Sequence, residues 1–163
     1  MLTVAPHVEL VPGFIQNVLV SIDFSEPARH AFMLANEIAC HQKAHLTLFH
    51  VVEPVRQRIF YDGHVTELAT RASMTVQEAH EALRRLPIDK AGLLDVKTAV
   101  VQGPPGTKIV TIADKLASHL IVQGAHGHTD IDHLELGQVA EEVIRTAHCP
   151  VITVKRVLVE ANA

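Results

Sequence analysis

Residues 17–52 read NVLVSIDFSEPARHAFMLANEIACHQKAHLTLFHVV, and this stretch decides the fold. Its opening run, NVLVSI (17–22), is short, apolar and rich in β-branched residues, as in a strand buried on both faces. The run stops at Asp23-Phe24-Ser25-Glu26-Pro27. Ser25 can accept a bond from an orphan amide of a following helix, and Pro27 is tolerated in a first turn, where its missing N–H would have no partner. Ala28, Ala31, Phe32, Ala35, Ile38 and Ala39 then recur on one helical face, to about His41. HLTLFHVV (45–52) is a second strand, ended by Glu53-Pro54. Strand, helix and strand in succession predict a parallel crossover unit.

The same alternation runs down the chain. Between about His64 and Leu86, the apolar residues Val65, Ala69, Ala72, Val76, Ala79, Leu83 and Leu86 follow spacings of 4, 3, 4, 3, 4 and 3. That spacing predicts one long helix with a single buried stripe. A third strand is expected at 96–101, and the turn Gly103-Pro104-Pro105-Gly106 leads to a helix near 107–117 with Thr107 as its N-cap. HLIVQ (119–123) is a fourth strand, followed by a glycine-punctuated loop (124–137), a helix (138–147) and, after Pro150, a last strand at 151–155, extendable to Val159. The expected fold class is α/β, a doubly wound five-stranded parallel sheet with helices on both faces. The expected domain spans 17–155, with an N-terminal extension (1–16) and a C-terminal tail or strand extension (156–163). Ligands of such sheets bind beyond the carboxyl ends of the strands, where the winding reverses.

Composition narrows the function. A chain of 163 residues, 48% hydrophobic, fits one domain with a real core. A net charge of −4, 4% aromatics and no Trp argue against nucleic acid as a partner. No run approaches the ~18 apolar residues of a membrane span, and residues 1–13 lack the features of a signal peptide, so no membrane partner and a cytoplasmic location are expected. Cys40 and Cys149 make no metal or redox motif, and neither has a base nearby in sequence. The 12 histidines invite a metal-binding alternative. His41 and His45 straddle a helix end, His50 falls in the second strand and His80 on the long helix. Only His126, His128, Asp130, Asp132 and His133 have ligand density, with His126, His128 and Asp130 the candidate metal ligands.

The pattern with most chemical content is Gly124-Ala125-His126-Gly127, nine residues, then Gly137-Gln138. Glycines after a strand let backbone amides approach an anion, and a helix N-terminus adds partial positive charge. The earlier GPPGTK (103–108) lacks the glycine before lysine and the hydroxyl after it that a phosphate-binding P-loop requires. No Ser-His-Asp order, paired carboxylates or zinc-protease signature is present, so at most slow ATP hydrolysis is expected.

VLVSIDFSEPARHAF (18–32), LTLFHVVEP (46–54), VVQGPPGTKIVTIAD (100–114) and LIVQGAHGHTDIDHLELGQVAEEVIRTAHCPVITVK (120–155) together resemble the universal stress protein family, in order and over nearly the whole domain. The resemblance implies strand order 3-2-1-4-5 and a stress-response sensor or regulator that binds AMP, ADP or ATP. Its nucleotide-binding branch carries G-x2-G-x9-G-(S/T), matched here by Gly124, Gly127 and Gly137, with Gln138 in place of the hydroxyl residue. By position, Ile22 would line the base, Asp23 would face ribose or adenine, and Val51 would offer its backbone to the adenine edge. Gly124, His126, Gly127 and His128 would follow the ribose and phosphates. Gly137, Gln138 and Val139 would give amides to phosphate oxygens. The resemblance also implies a homodimer paired through the last strand; the alternative within the family is a dimer that works through protein contacts without a nucleotide. Loop 124–137 carries Asp130, Asp132 and Glu135 but no Lys or Arg. Such a loop favours AMP or ADP, or ATP only with Mg²⁺.

Overall fold

The computed structural model describes residues 13–53, 55–61, 64–70, 74–89, 92–93, 95–126 and 136–155, with the backbone alone for 55–61 and 64–70. In chain order the elements are β1 (Asn17–Ser21), α1 (Glu26–Gln42), β2 (His45–Val52), β3 (Val55–Tyr61), β4 (His64–Thr70) and α2 (Val76–Arg84). There follow β5 (Asp95–Gln102), α3 (Pro105–Lys115), β6 (Leu120–Gly124), α4 (Gln138–Thr146) and β7 (Val151–Val154).

Five strands form one parallel sheet in the order β5-β2-β1-β6-β7, the expected 3-2-1-4-5 arrangement. β1 is central: Val20 pairs with Leu48 of β2 on one side and Val122 of β6 on the other. The chain winds outward from β1 to β5 and then returns to the far side of β1. The reversal therefore falls between β1 and β6.

Strand periodicity divides the core into two layers. Val18, Val20, Leu46, Leu48, Leu120 and Val122 pack on the α1 and α2 side, against Ala31, Phe32, Ala35, Ala39 and Leu83. Leu19, Phe49 and Ile121 point the other way, against Ile109 and Ala113 of α3 and Val143 of α4. Ser25 caps α1 as expected, its side chain accepting the Ala28 N–H at 3.3 Å. At the other end Lys43 adopts the left-handed conformation (φ 53°) and its N–H returns to Ala39 and Cys40 carbonyls.

Two expectations are corrected. The long helix is instead an antiparallel hairpin, β3 with β4, followed by the much shorter α2. Thr75 and Glu78 form a capping box that starts α2, so only Val76, Ala79 and Leu83 of the expected stripe are helical; Val65 and Ala69 fall in β4, and Ala72 lies outside the described residues. Thr107 does not cap α3: the N-cap is Pro104, no side chain bonds there, and Thr107 lies within the first turn, donating its hydroxyl to Glu142 Oε1 at 2.9 Å.

Candidate functional site

A cavity of about 410 Å³ opens at the carboxyl ends of the central strands, where the winding reverses. Ser21, Ile22 and Asp23 line it from the end of β1, and His50, Val51, Val52 and Glu53 from the end of β2. Gln123, Gly124, Ala125 and His126 follow from β6. Gly137, Gln138, Val139 and Ala140 enter from the start of α4, with Pro105 and Ile109 of α3, Ala28 of α1 and Met74 completing the wall.

The Asp23 corner is tightly built. The Ser25 N–H donates to Asp23 Oδ1 at 2.9 Å, closing a local turn. Phe24 between them sits at φ 66°, a left-handed conformation that costs energy for a bulky side chain and so marks a corner held by its surroundings. Two of those surroundings are visible. Its ring lies 4.9 Å from the His50 ring at 44°, and it packs on the α1-side core. The Ser25 hydroxyl reaches the His126 carbonyl at 3.5 Å, tying the β1 corner to the end of β6.

His50 is anchored through Nδ1, 2.6 Å from the Ile22 carbonyl. A carbonyl only accepts, so Nδ1 carries the hydrogen. Burial holds the His50 pKa below the ordinary 6.5, against the opposing pull of the Ile22 carbonyl, Asp23 and Glu53. The neutral ring then presents Nε2 as an acceptor.

On the opposite wall, α4 begins at Gly137 with no side chain capping it. The first amides of a helix have no partner inside it, so those of Gln138 and Val139 stand at a positively polarised end with no acceptor among the described residues. The Gly137 amide is committed differently from the expectation: it donates to the Ala125 carbonyl at 2.8 Å, so Gly137 shapes the turn while its two successors offer the donors. Gly124 answers first to packing, since a Cβ there would stand 3.0 Å from the Ala28 nitrogen and 3.1 Å from Pro27.

Ile22, Asp23, Val51, Gly124, His126, Gly137, Gln138 and Val139 thus share one cavity. Gly127 and His128 lie outside the described residues, as do Asp130, Asp132, His133 and Glu135. His126 is buried, at 8% exposure, and no group of three metal-ligating side chains occurs among the described residues. Sequence reading missed His50, Glu53, Gln123 and Met74 as wall residues. His50 directly precedes the singled-out Val51 and Glu53 follows two residues on, and that adjacency was the available signal. Among the described residues no Lys or Arg lines the cavity, whereas Asp23 and Glu53 do.

A doubly wound α/β fold whose switch-point crevice joins strand ends to an open helix N-terminus is a small-ligand-binding architecture. The chain belongs to the universal stress protein family, which it matches over residues 15–155. A universal stress protein of Methanocaldococcus jannaschii is 38% identical over 81 residues, so the match spans about half of each chain, 49% of this one and 48% of that one. A putative universal stress protein of Staphylococcus haemolyticus is 27% identical over 143 residues, covering 86% and 84% of the two chains. Among solved structures, universal stress protein UspA from Lactobacillus plantarum superposes with a TM-score of 0.67 at 24% identity, covering 86% of this chain and 98% of that one. Two further similar folds are a universal stress protein in complex with cAMP (TM-score 0.56, 24% identity, 86% and 97% coverage) and that of Archaeoglobus fulgidus in complex with dAMP (0.58, 22%, 88% and 99%). No helix among the described residues is long and apolar enough to cross a membrane.

Proposed function

We propose that this protein binds an adenine nucleotide in the switch-point cavity and acts as a homodimeric regulator in the stress response. The observation that carries the reading is the cavity's polarity. One wall offers the amides of α4 at Gln138 and Val139, which have no acceptor inside the helix; the other offers the acceptors Asp23 and His50. A nucleoside monophosphate has the complementary ends, an anion at one and hydroxyl and amino donors at the other. The cAMP and dAMP complexes of proteins with similar folds support the class of ligand. A cytoplasmic setting belongs to the same reading, supported by two cysteines that are both thiols.

Gly124, His126, Gly127 and His128 would run beside ribose and phosphate, and Val51 would meet the base edge. Gln138 can still donate through its side-chain amide where a hydroxyl is absent. Because the wall carries Asp23 and Glu53 without a described cation, each added phosphate raises repulsion unless Mg²⁺ accompanies it. Titration calorimetry with AMP and ATP, each with and without Mg²⁺, tests this. AMP is expected to bind without metal and ATP to gain at least tenfold with it, on the order of 1.4 kcal/mol. Metal-free ATP binding more tightly than AMP would refute the charge argument, and absence of any binding would leave the alternative of a dimer acting through protein contacts.

A further inference from the structure

Among the described residues the main sheet has two unpaired edges, and β5 is the longer of them. It runs for eight residues against the four of β7, and β2 is its one neighbouring strand among those residues. The Gly103 N–H donates to the Val52 carbonyl at 3.2 Å, which sets the alternation along β5. Lys97, Ala99 and Val101 turn their backbone groups to β2, while Val96, Thr98 and Val100 turn theirs outward. The outward Val96 N–H is met by a neighbouring carboxylate, Asp95 Oδ1 at 2.8 Å. Further along, Thr98, Ala99, Val100 and Val101 are all half-buried, so the outward row has apolar side chains on both faces. An edge of this length and composition pairs with other chains unless something covers it.

The chain itself carries a strand of the right kind. Residues 2–10 read LTVAPHVEL, in which Leu2, Val4, Val8 and Leu10 alternate with Thr3, Ala5, His7 and Glu9. Their route is anchored below. The Gln16 carbonyl accepts the His45 N–H at 2.8 Å, and the Gly13 N–H donates to Gln42 Oε1 at 3.0 Å, so the chain enters β1 from the β2 side. Asn17, His45 and Asp95 stand level across β1, β2 and β5. A strand beyond β5 lies three strand spacings from β1, about 14 Å, and residues 11–16 can span about 20 Å. From that point residues 2–10 run antiparallel to β5.

Pro6 fixes which residues face the sheet. Lacking an N–H, it fits a strand only where its nitrogen points away from the neighbour, so Ala5 and His7 face β5. In an antiparallel pair, bonded residues stand opposite bonded residues and share a face. Thr3, Ala5, His7 and Glu9 then fall on the side of Thr98, whose Oγ1 lies 3.5 Å from His80 Nδ1. Leu2, Val4, Val8 and Leu10 fall on the side of Ala99 and Val101, where Val110 and Ile112 of α3 are also half-buried. The polar row meets a polar neighbour, and the apolar row extends the α3-side layer.

We infer that residues 2–10 form a sixth strand of the main sheet, antiparallel to β5 of the same chain, and that this segment closes the edge against other chains. The inference is independent of the nucleotide reading.

Amide hydrogen exchange followed by NMR on the full chain tests it. The outward amides of Thr98 and Val100 report on the cover, and those of Lys97, Ala99 and Val101, bonded to β2, are the internal reference. Ala5→Pro removes an N–H that faces β5, whereas Val4→Pro removes one that faces away. Thr98 and Val100 are expected to exchange at least tenfold faster in Ala5→Pro than in the wild type, with the reference amides unchanged, and to stay protected in Val4→Pro. Cross-peaks between residues 4–8 and residues 98–101 should appear within one chain in a sample mixing labelled and unlabelled copies. Thr98 and Val100 amides that exchange as fast in the wild type as in Ala5→Pro overturn the sixth strand. Cross-peaks found only between differently labelled copies overturn its assignment to the same chain.

Discussion

A methyl group on Gly124 would meet backbone, the Ala28 nitrogen at 3.0 Å and the Pro27 carbonyl carbon at 3.1 Å, neither of which can rotate away. Gly124→Ala is therefore expected to destabilise the ligand-free protein by about 1–3 kcal/mol, read as a lower urea midpoint with unchanged slope. A wild-type midpoint would mean that this glycine serves the ligand alone. His50 gives a second residue-level test. Its pKa is lowered by burial, so near neutrality the unfolded chain binds more protons at this site than the folded one. Stability from this group is whole above the ordinary 6.5 and is lost as pH falls below it toward the depressed folded value. Asp23 and Glu53 oppose the shift without reversing it. The melting temperature of His50→Asn should accordingly fall less than that of the wild type between pH 7.5 and 5. Parallel curves would contradict the buried, neutral ring. The two residues also differ in how legible they were. Gly124 announces itself because a glycine straight after a strand signals close approach. His50 gains its meaning from a carbonyl 28 positions earlier in the chain, and spacing carries no trace of that bond.

At the scale of elements, the N-cap of α3 makes no side-chain bond, and α4 brings a carboxylate to its first turn. The Glu142 carboxylate lies against Gly106, where a Cβ would be displaced by it, and accepts the Thr107 hydroxyl at 2.9 Å. An anion at a helix N-terminus is favourable, and here it also joins the two helices whose first turns reach the cavity. Thr107→Val is expected to cost about 0.5–1.5 kcal/mol in chemical denaturation, and much less when Glu142→Ala is already present. Additive losses would show that the two side chains act separately. The sheet strands, α1, α3 and α4 followed from apolar runs, glycine and proline punctuation and helical spacing. The hairpin did not. Spacings of 4 and 3 carried the helical stripe upstream from Ala79 and Leu83, which α2 does bury, into Val65 and Ala69, which β4 carries. The contrary signal was local: Asp62-Gly63 stands between two runs containing Val, Ile, Phe, Tyr and Thr, a common hairpin turn sequence. Periodicity measured over a long window overrode a two-residue turn signal. Around the cavity, the strand ends and the start of α4 lie where the sequence places them, whereas His50, Glu53, Gln123 and Met74 enter the wall through tertiary packing that spacing does not carry.

At the scale of the whole molecule, the winding that opens the cavity between β1 and β6 also leaves β7 at the edge of the sheet, with β6 as its one neighbouring strand among the described residues. The Ile121 N–H donates to the Pro150 carbonyl at 3.0 Å and the Ala125 N–H to the Val154 carbonyl at 2.8 Å. In a parallel ladder this alternation turns residues 152 and 154 toward β6 and directs the backbone groups of Val151 and Thr153 outward. All four β7 residues are half-buried, and three of them are β-branched aliphatics. Such an edge invites strand pairing, and in the proposed homodimer a second copy of the chain would close it with two-fold symmetry. The protein is therefore expected to elute in light scattering with about twice the 17.8 kDa chain mass. Thr153→Pro removes an outward N–H and should yield a monomer whose circular dichroism is retained, because the bonds to β6 are untouched. The substitution also removes the hydroxyl that accepts from Gln123 Nε2 at 3.3 Å, so Thr153→Val is the control. Thr153→Val lacks that hydroxyl but keeps the N–H, and it should remain dimeric. A wild-type monomer at tens of micromolar, or a dimer that survives Thr153→Pro, would place any assembly surface away from this edge.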